Sequence, residues 1–142
     1  MKGKFCMVDA ELVEVRQWLM KARRDLESAK VLFDRELNDT SVYHCQQAAE
    51  KSLKAYLAWH KAPLIKVHDL TALVKECIAL DVSFETLLDM AEILTPYATA
   101  FRYPGDFFEP DQLDAEEALR LSGKVVGFVQ DMLPEQVRVS AD

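Results

Sequence analysis

Apolar side chains recur three and four residues apart along most of this chain, and almost nowhere in simple alternation. That spacing gathers them onto single stripes of α-helices and leaves no segment that reads as a half-buried strand. Only four glycines occur in 142 residues, and none forms a glycine-rich loop. The phosphate-cradling loops of many α/β folds are therefore missing. The expected class is all-α.

The spacing predicts a first helix from about Asp9 to Arg35, with Val15, Trp18, Leu19, Ala22, Leu26, Ala29, Leu32 and Phe33 on its inner stripe. Leu37-Asn38-Asp39-Thr40-Ser41 reads as a turn ending in a side-chain helix cap. A second helix is expected from about Ser41 to Lys61, stopped by Pro63. Its inner side carries Cys45, Ala49, Ser52, Tyr56 and Trp59, and its polar side Gln47, Glu50, Lys51, Lys54 and Lys61. A short helix from about Asp69 to Ala79 buries Leu70, Leu73, Val74 and Cys77, and Asp81-Val82-Ser83 breaks it. The next helix starts near Phe84, is kinked or divided at Pro96, and resumes through Phe101 until Pro104-Gly105 stops it. A loop over 105–110 leads to the last helix, Asp111 to Leu133, whose first turns hold Asp114, Glu116 and Glu117 where the helix dipole favours negative charge. Its inner stripe is Ala118, Leu121, Val125, Phe128, Val129 and Met132. Four long elements with short connections imply an antiparallel four-helix up-and-down bundle with an additional short helix. One domain is expected across 1–142, with a core at about 12–133 and a tail over 134–142 that is frayed from Gln136.

Composition narrows the function. No apolar run approaches the roughly 20 residues of a membrane helix, and Asp9 and Glu11 follow the basic, apolar start too soon for a signal peptide. A cytoplasmic protein without membrane contact is expected. Cys6, Cys45 and Cys77 are odd in number and lack CxxC spacing, so neither a disulfide framework nor a zinc site is expected. His44 and His60 have no partner at metal-ligand spacing, and no cofactor motif is present. The net charge of −7 argues against a general nucleic-acid binder. It hides an asymmetry: residues 1–75 carry 13 basic and 10 acidic side chains, residues 76–142 carry 4 and 14. The front half can thus offer a local patch to phosphates, or simply a solvated face of opposite sign.

Tyr43-His44-Cys45-Gln46-Gln47-Ala48-Ala49-Glu50-Lys51-Ser52-Leu53-Lys54-Ala55-Tyr56-Leu57 is similar to the QQAAEKxLKAxL segment of HEPN proteins, the higher-eukaryote-and-prokaryote nucleotide-binding family. Lys66-Val67-His68-Asp69-Leu70 resembles the family's HDL turn before its third helix, and Arg102-Tyr103-Pro104-Gly105-Asp106 resembles the RYPD-type segment of one subgroup. Lys21–Ala29 fits the family's first helix. The resemblance covers about residues 12–133. It implies a helical bundle, commonly a homodimer, working beside a minimal nucleotidyltransferase in operons of toxin–antitoxin type. Many members are metal-independent ribonucleases whose signature is an Arg followed four to six residues later by His. Here Arg102 fills the Arg position, but Tyr103, Pro104, Gly105, Asp106, Phe107 and Phe108 follow without a His. Proton transfer to or from an RNA hydroxyl needs a group that titrates near neutral pH.

The candidate residues each carry more than one reading. Arg102 either holds a phosphate with its fork of donors or caps its own helix and pairs with Asp106. Tyr103 stacks on a base, receives a nucleotide as the resemblance to some toxin-type relatives implies, or packs at a dimer seam. Lys51 and Lys54 meet phosphates or belong to a solvated face, with Glu50–Lys54 an ordinary i,i+4 pair. His68 and Asp106 are the weak catalytic candidates beside Arg102. His68 otherwise marks a helix start capped by Asp69, and Asp106 the end of one. Gln46 and Gln47 can bond across an interface, and Phe107-Phe108 can lock a partner subunit. Three functions follow: a nucleotide-binding or accessory partner of a minimal nucleotidyltransferase, a divergent metal-independent ribonuclease toxin, and a structural dimerisation module without ligand.

Overall fold

The computed structural model describes the backbone of residues 2–105 and 109–138, with side chains from residue 10 onward. Five α-helices and three short 3-10 turns form its regular structure, with no strand among the described residues. None of these helices is long and apolar enough to cross a membrane.

Helix α1 (Lys2–Asp34) starts well before the expected Asp9. Its end is closed by the backbone: Glu36 takes a left-handed φ of 60°, and Leu37 N–H donates to Leu32 C=O at 2.9 Å. Glycine usually fills that left-handed place. Helix α2 (Asn38–Trp59) starts before Ser41 and has no side-chain cap. The hydroxyls expected to cap it donate elsewhere, Thr40 to Leu37 C=O at 3.1 Å and Ser41 to Ala29 C=O at 2.8 Å. Its C-terminal end repeats the closure of α1, with Lys61 at φ 56° and Ala62 N–H bonded to Leu57 C=O. The helix therefore stops short of the expected Lys61.

Helix α2 is the axis of the core. Helix α1 packs along it, α5 (Gln112–Met132) lies against both, and α3 (Leu70–Leu80) and α4 (Leu88–Leu94) cover the rest. Cys45, Ala48, Ala49 and Ser52 are fully buried, and their small size lets the neighbouring helices approach closely. Phe84 is central, edge-on to Phe128 at 5.0 Å and tilted against Tyr56 at 4.4 Å. Cys45 and Cys77 are buried thiols, and burial pushes them up to about 11 and about 12. Such thiols act as small hydrophobes.

Helix α3 is capped as the sequence predicts: the Asp69 carboxylate accepts from Thr71 N–H at 2.9 Å and Ala72 N–H at 3.4 Å. The next long element is divided. The Asp81 carboxylate holds Ser83 N–H and starts a 3-10 turn at Val82–Leu87, and only the seven residues of α4 are α-helical. Pro96 then tightens Thr95–Ala98 into another 3-10 turn. The helix does not resume through Phe101, which lies in the left-handed region at φ 67°. Proline removes an N–H and clashes with the preceding turn, so the expected fourth long helix becomes short pieces. Helix α5 opens with a capping box, Asp114 N–H on Asp111 at 2.8 Å and Asp111 N–H on Asp114 at 3.1 Å. The tail is not frayed as far as Arg138: Val137 is fully buried against the core, and Arg138 bonds Leu133 C=O at 3.0 Å. Residues 139–142 and the side chain of Cys6 lie outside the described residues.

Candidate functional site

The reversal at Phe101, followed by Pro104 and Gly105 at φ 102°, folds the chain back over the first turns of α2. Arg102 is thereby laid on Tyr43, its Cζ 4.3 Å from the ring centroid and 5.8 Å from that of Tyr103. A cation held over an exposed aromatic face gains about 0.5–1 kcal/mol and keeps its donor edge free. Only one protein acceptor among the described residues takes up that edge, Ala98 C=O at a long 3.5 Å. Beneath lies a cavity of 340 Å³ lined by Asp39, Thr40, Tyr43, His44, Phe101 and Arg102.

His44 forms the wall shared with a second cavity of 390 Å³, lined also by Glu27, Ser28, Val31 and Leu32 of α1. Its Nδ1 donates to Asp25 at 2.8 Å, and the other Asp25 oxygen accepts from Lys51 at 2.7 Å. Asp25 is buried, so both its oxygens are satisfied by side chains of α2. Tyr43 stands between the imidazole and the guanidinium, its ring 5.5 Å edge-on from that of His44.

A second polar cluster lies further along α2. Glu50 is 4% exposed rather than on a solvated side. It accepts from His68 Nδ1 at 2.9 Å, Lys54 at 2.9 Å and Gln46 Nε2 at 3.2 Å. Gln46 also donates to His68 C=O at 3.0 Å and accepts from Gln47 at 2.8 Å. Burial, the largest influence on the Glu50 carboxyl, raises it. The combined hydrogen bonds of His68, Lys54 and Gln46, with the Lys54 charge, outweigh that and hold it below its ordinary value.

The structure thus separates the candidate residues. Arg102 and Tyr103 stay together at the groove, where Tyr103 is 67% exposed. Lys51 joins it indirectly, through Asp25 and His44. Lys54 is tied to Glu50 and lies 5.7 Å from the Trp18 ring, away from the groove. His68 pairs with Glu50 and does not line the cavity with Arg102. Gln46 and Gln47 bond to each other, and Gln46 also to Glu50 and His68 C=O. Asp106, Phe107 and Phe108 lie outside the described residues. Tyr43 and His44 open the segment similar to HEPN proteins and Asp25 lies in the stretch that fits the family's first helix, but no motif gives them a site role. The one sequence signal was a carboxylate at position 25, between the inward Ala22 and Ala29. Among the described residues, no group of three or more His, Cys, Asp or Glu side chains is placed to hold a metal ion.

The family model described as the HEPN domain matches residues 15–132. The chain belongs to the HEPN domain family. It is 29% identical over 134 residues to the candidate toxin MJ1304 of Methanocaldococcus jannaschii, covering 84% of this chain and 88% of that protein. The crystal structure of TT1696 from Thermus thermophilus superposes with a TM-score of 0.76 at 29% identity, covering 84% of this chain and 98% of that one. ST0689, an archaeal HEPN homologue, shares the fold with a TM-score of 0.69 at 24% identity, over 84% and 97%. Within this HEPN fold, two segments that carry the resemblance meet in the buried cluster: Gln46 and Glu50 come from one, His68 from the other. Those residues fasten the 60–69 connection to α2. Arg102 of the third segment lines the groove together with Tyr43 and His44, which open the first.

Proposed function

We propose that this chain is the HEPN member of a toxin–antitoxin-type pair, acting beside a minimal nucleotidyltransferase, and that its Arg102 groove binds the phosphate of a nucleotide. The observation that carries this reading is the Arg102 guanidinium spread on Tyr43 above a cavity that also presents the side chains of Thr40 and His44. A planar fork of donors over an open cavity suits a phosphate, and the aromatic rings beside it suit a base. The name of the Methanocaldococcus relative supports the toxin–antitoxin setting. Val31 and Tyr103, exposed around the two cavities, favour a second copy seated over the groove.

Thermal unfolding with and without nucleoside mono-, di- and triphosphates tests the reading. A ligand at 100 times its Kd stabilises the folded state by about 2.7 kcal/mol, and Arg102→Ala is expected to abolish that gain while leaving the unliganded Tm within a few degrees. If no nucleotide or oligonucleotide raises the Tm, the groove is not a nucleotide site. If Arg102→Ala changes only self-association, the groove serves dimerisation alone.

A further inference from the structure

We propose that Asp39 reads the base of the nucleotide held at Arg102, and that the groove takes guanine nucleotides in preference to those of adenine, cytosine or uracil. The proposal rests on the reading of the Arg102 cavity as a nucleotide-phosphate site. It adds the substrate class and the residue that selects it.

The cavity offers an uneven set of polar groups. Arg102 supplies a fork of donors, while three other lining residues have acceptors left to offer. The Thr40 hydroxyl spends its hydrogen on Leu37 C=O at 3.1 Å, which leaves its lone pairs. His44 spends Nδ1–H on Asp25, which leaves Nε2, an acceptor in the neutral ring. Asp39 has two carboxylate oxygens, and they make no hydrogen bond or salt bridge among the described residues. Asp39 and Arg102 thus bring opposite charges to one cavity of 340 Å³ and form no ion pair there. A carboxylate and a guanidinium left open side by side suit a ligand with an anionic end and a donor-bearing end. A nucleotide has both, in its phosphate and its base.

Helix α2 spaces the two ends. Asp39 and Tyr43 are four residues apart in it, so they share a face about 6 Å apart along the axis. Arg102 lies on the Tyr43 ring, which places the carboxylate about one helical turn from the ring that carries the guanidinium. One face of Tyr43 is taken by Arg102, and the partly buried Phe101 offers a further ring to a base.

Guanine carries N1–H and N2–H side by side on one edge, two parallel donors that match the two oxygens of a carboxylate. Adenine puts the N1 lone pair at that place and cytosine the N3 lone pair, so each sets a lone pair against a carboxylate oxygen. Uracil has a single donor between two carbonyls and meets the same conflict on both sides. Selection by Asp39 therefore comes from repulsion of the wrong bases as much as from the bonds to the right one.

Isothermal titration of the full chain with the 5′-monophosphates of guanosine, deoxyguanosine, inosine, adenosine, cytidine and uridine tests this. The guanosine compound is expected to bind about 10–100-fold tighter than those of adenosine, cytidine and uridine, the range a bidentate base contact supplies. Inosine keeps N1–H and lacks the N2 amine, so its affinity should fall between. Asp39→Asn exchanges one acceptor for a donor, which suits the N1 and N6 of adenine. The variant should keep its thermal melt, lose about tenfold or more for the guanosine compound, and prefer the adenosine one. A carboxylate that serves only the helix dipole would leave the order of the bases unchanged. Equal affinities of the native chain for the guanosine and adenosine compounds, both lost in Arg102→Ala, overturn the proposal and leave the nucleotide-site reading standing. A preference for guanosine that survives Asp39→Asn also overturns it. So does a loss in Asp39→Asn that is equal for all ribonucleotides and absent for deoxyguanosine, which would place Asp39 on the ribose. No binding of any of the six compounds removes the two readings together.

Discussion

Removing the Glu50 carboxylate tests how the HEPN fold is fastened at the connection between α2 and α3. Breaking a buried ion pair by deleting one partner costs about 3–5 kcal/mol. The three groups left behind by Glu50→Ala differ in how far they can recover. The His68 side chain is 70% exposed and regains water at once, so its share is small. Lys54 is 13% exposed and Gln46 is fully buried, so an ammonium and an amide lose a partner they cannot easily replace. The expected cost is about 2–3 kcal/mol at pH 7, a fall of roughly 5–10 °C in Tm for a chain of this length. Glu50→Gln keeps the volume and one acceptor, and should lose about half as much. The pH dependence has a definite sign. The carboxyl is held below its ordinary 4.5 in the folded state, so the unfolded chain binds its proton first as pH falls. The stabilisation is fully present above that ordinary value and disappears as pH drops through the lower, folded value. Urea unfolding of the three proteins at pH 7 and pH 3.5 reads both effects. The gap between native and Glu50→Gln should be wide at pH 7 and narrower at pH 3.5, with m-values unchanged. A loss below about 0.5 kcal/mol for Glu50→Ala, or a gap that does not narrow in acid, would refute the assignment of Glu50 as a charged buried anchor.

Two further outcomes follow from the backbone. Glu36→Gly should raise stability by about 0.5–1 kcal/mol, because Glu36 sits at φ 60° where a side chain is strained. A urea midpoint that falls would contradict the left-handed closure of α1. Gly123→Ala and Gly127→Ala should each add about 0.5–1 kcal/mol, since both glycines are inside α5 and a Cβ on either meets nothing within 4 Å. A loss in the thermal melt of either variant would place a close neighbour there.

The helices themselves were legible because burial repeats at helical spacing. Val15, Leu19, Ala22 and Ala29 in α1, and Leu121, Val125 and Val129 in α5, are all buried as their positions predict. The start at Asp69 was legible because a carboxylate two or three residues ahead can reach a free N–H, and that at Asp111 because acidic side chains crowd the first turn, where the helix dipole favours them. The ends of α1 and α2 were legible to within two residues, but their closure at Glu36 and Lys61 was not, because a charged residue in the left-handed region gives none of the signal that glycine would. The burial of Glu50 was hidden for a different reason. Periodicity reports on one helix at a time, and the partner that compensates this carboxylate, His68, arrives from beyond the 60–69 connection's first turn. Val137 was likewise read as tail because one apolar residue after a proline carries no period.

The same distinction explains why part of the sequence likeness falls on residues already tied to one another. The buried Glu50 already accepts from Gln46, Lys54 and His68, so a ligand could engage it only by displacing a bond already made. They specify where the connection lies, and any protein with this arrangement of helices needs something equivalent there. Arg102 is in the opposite position. It is exposed, stacked rather than paired, and makes one long bond to its own backbone. Tyr43 and His44 reach it from 59 and 58 residues earlier only because Phe101 adopts a backbone conformation unusual for an aromatic residue. A strained reversal that delivers a guanidinium onto an aromatic ring is backbone energy stored at one place. The groove beside Arg102 is where this HEPN chain keeps its uncommitted polar groups, and the buried cluster around Glu50 is what holds the helices that flank them in register.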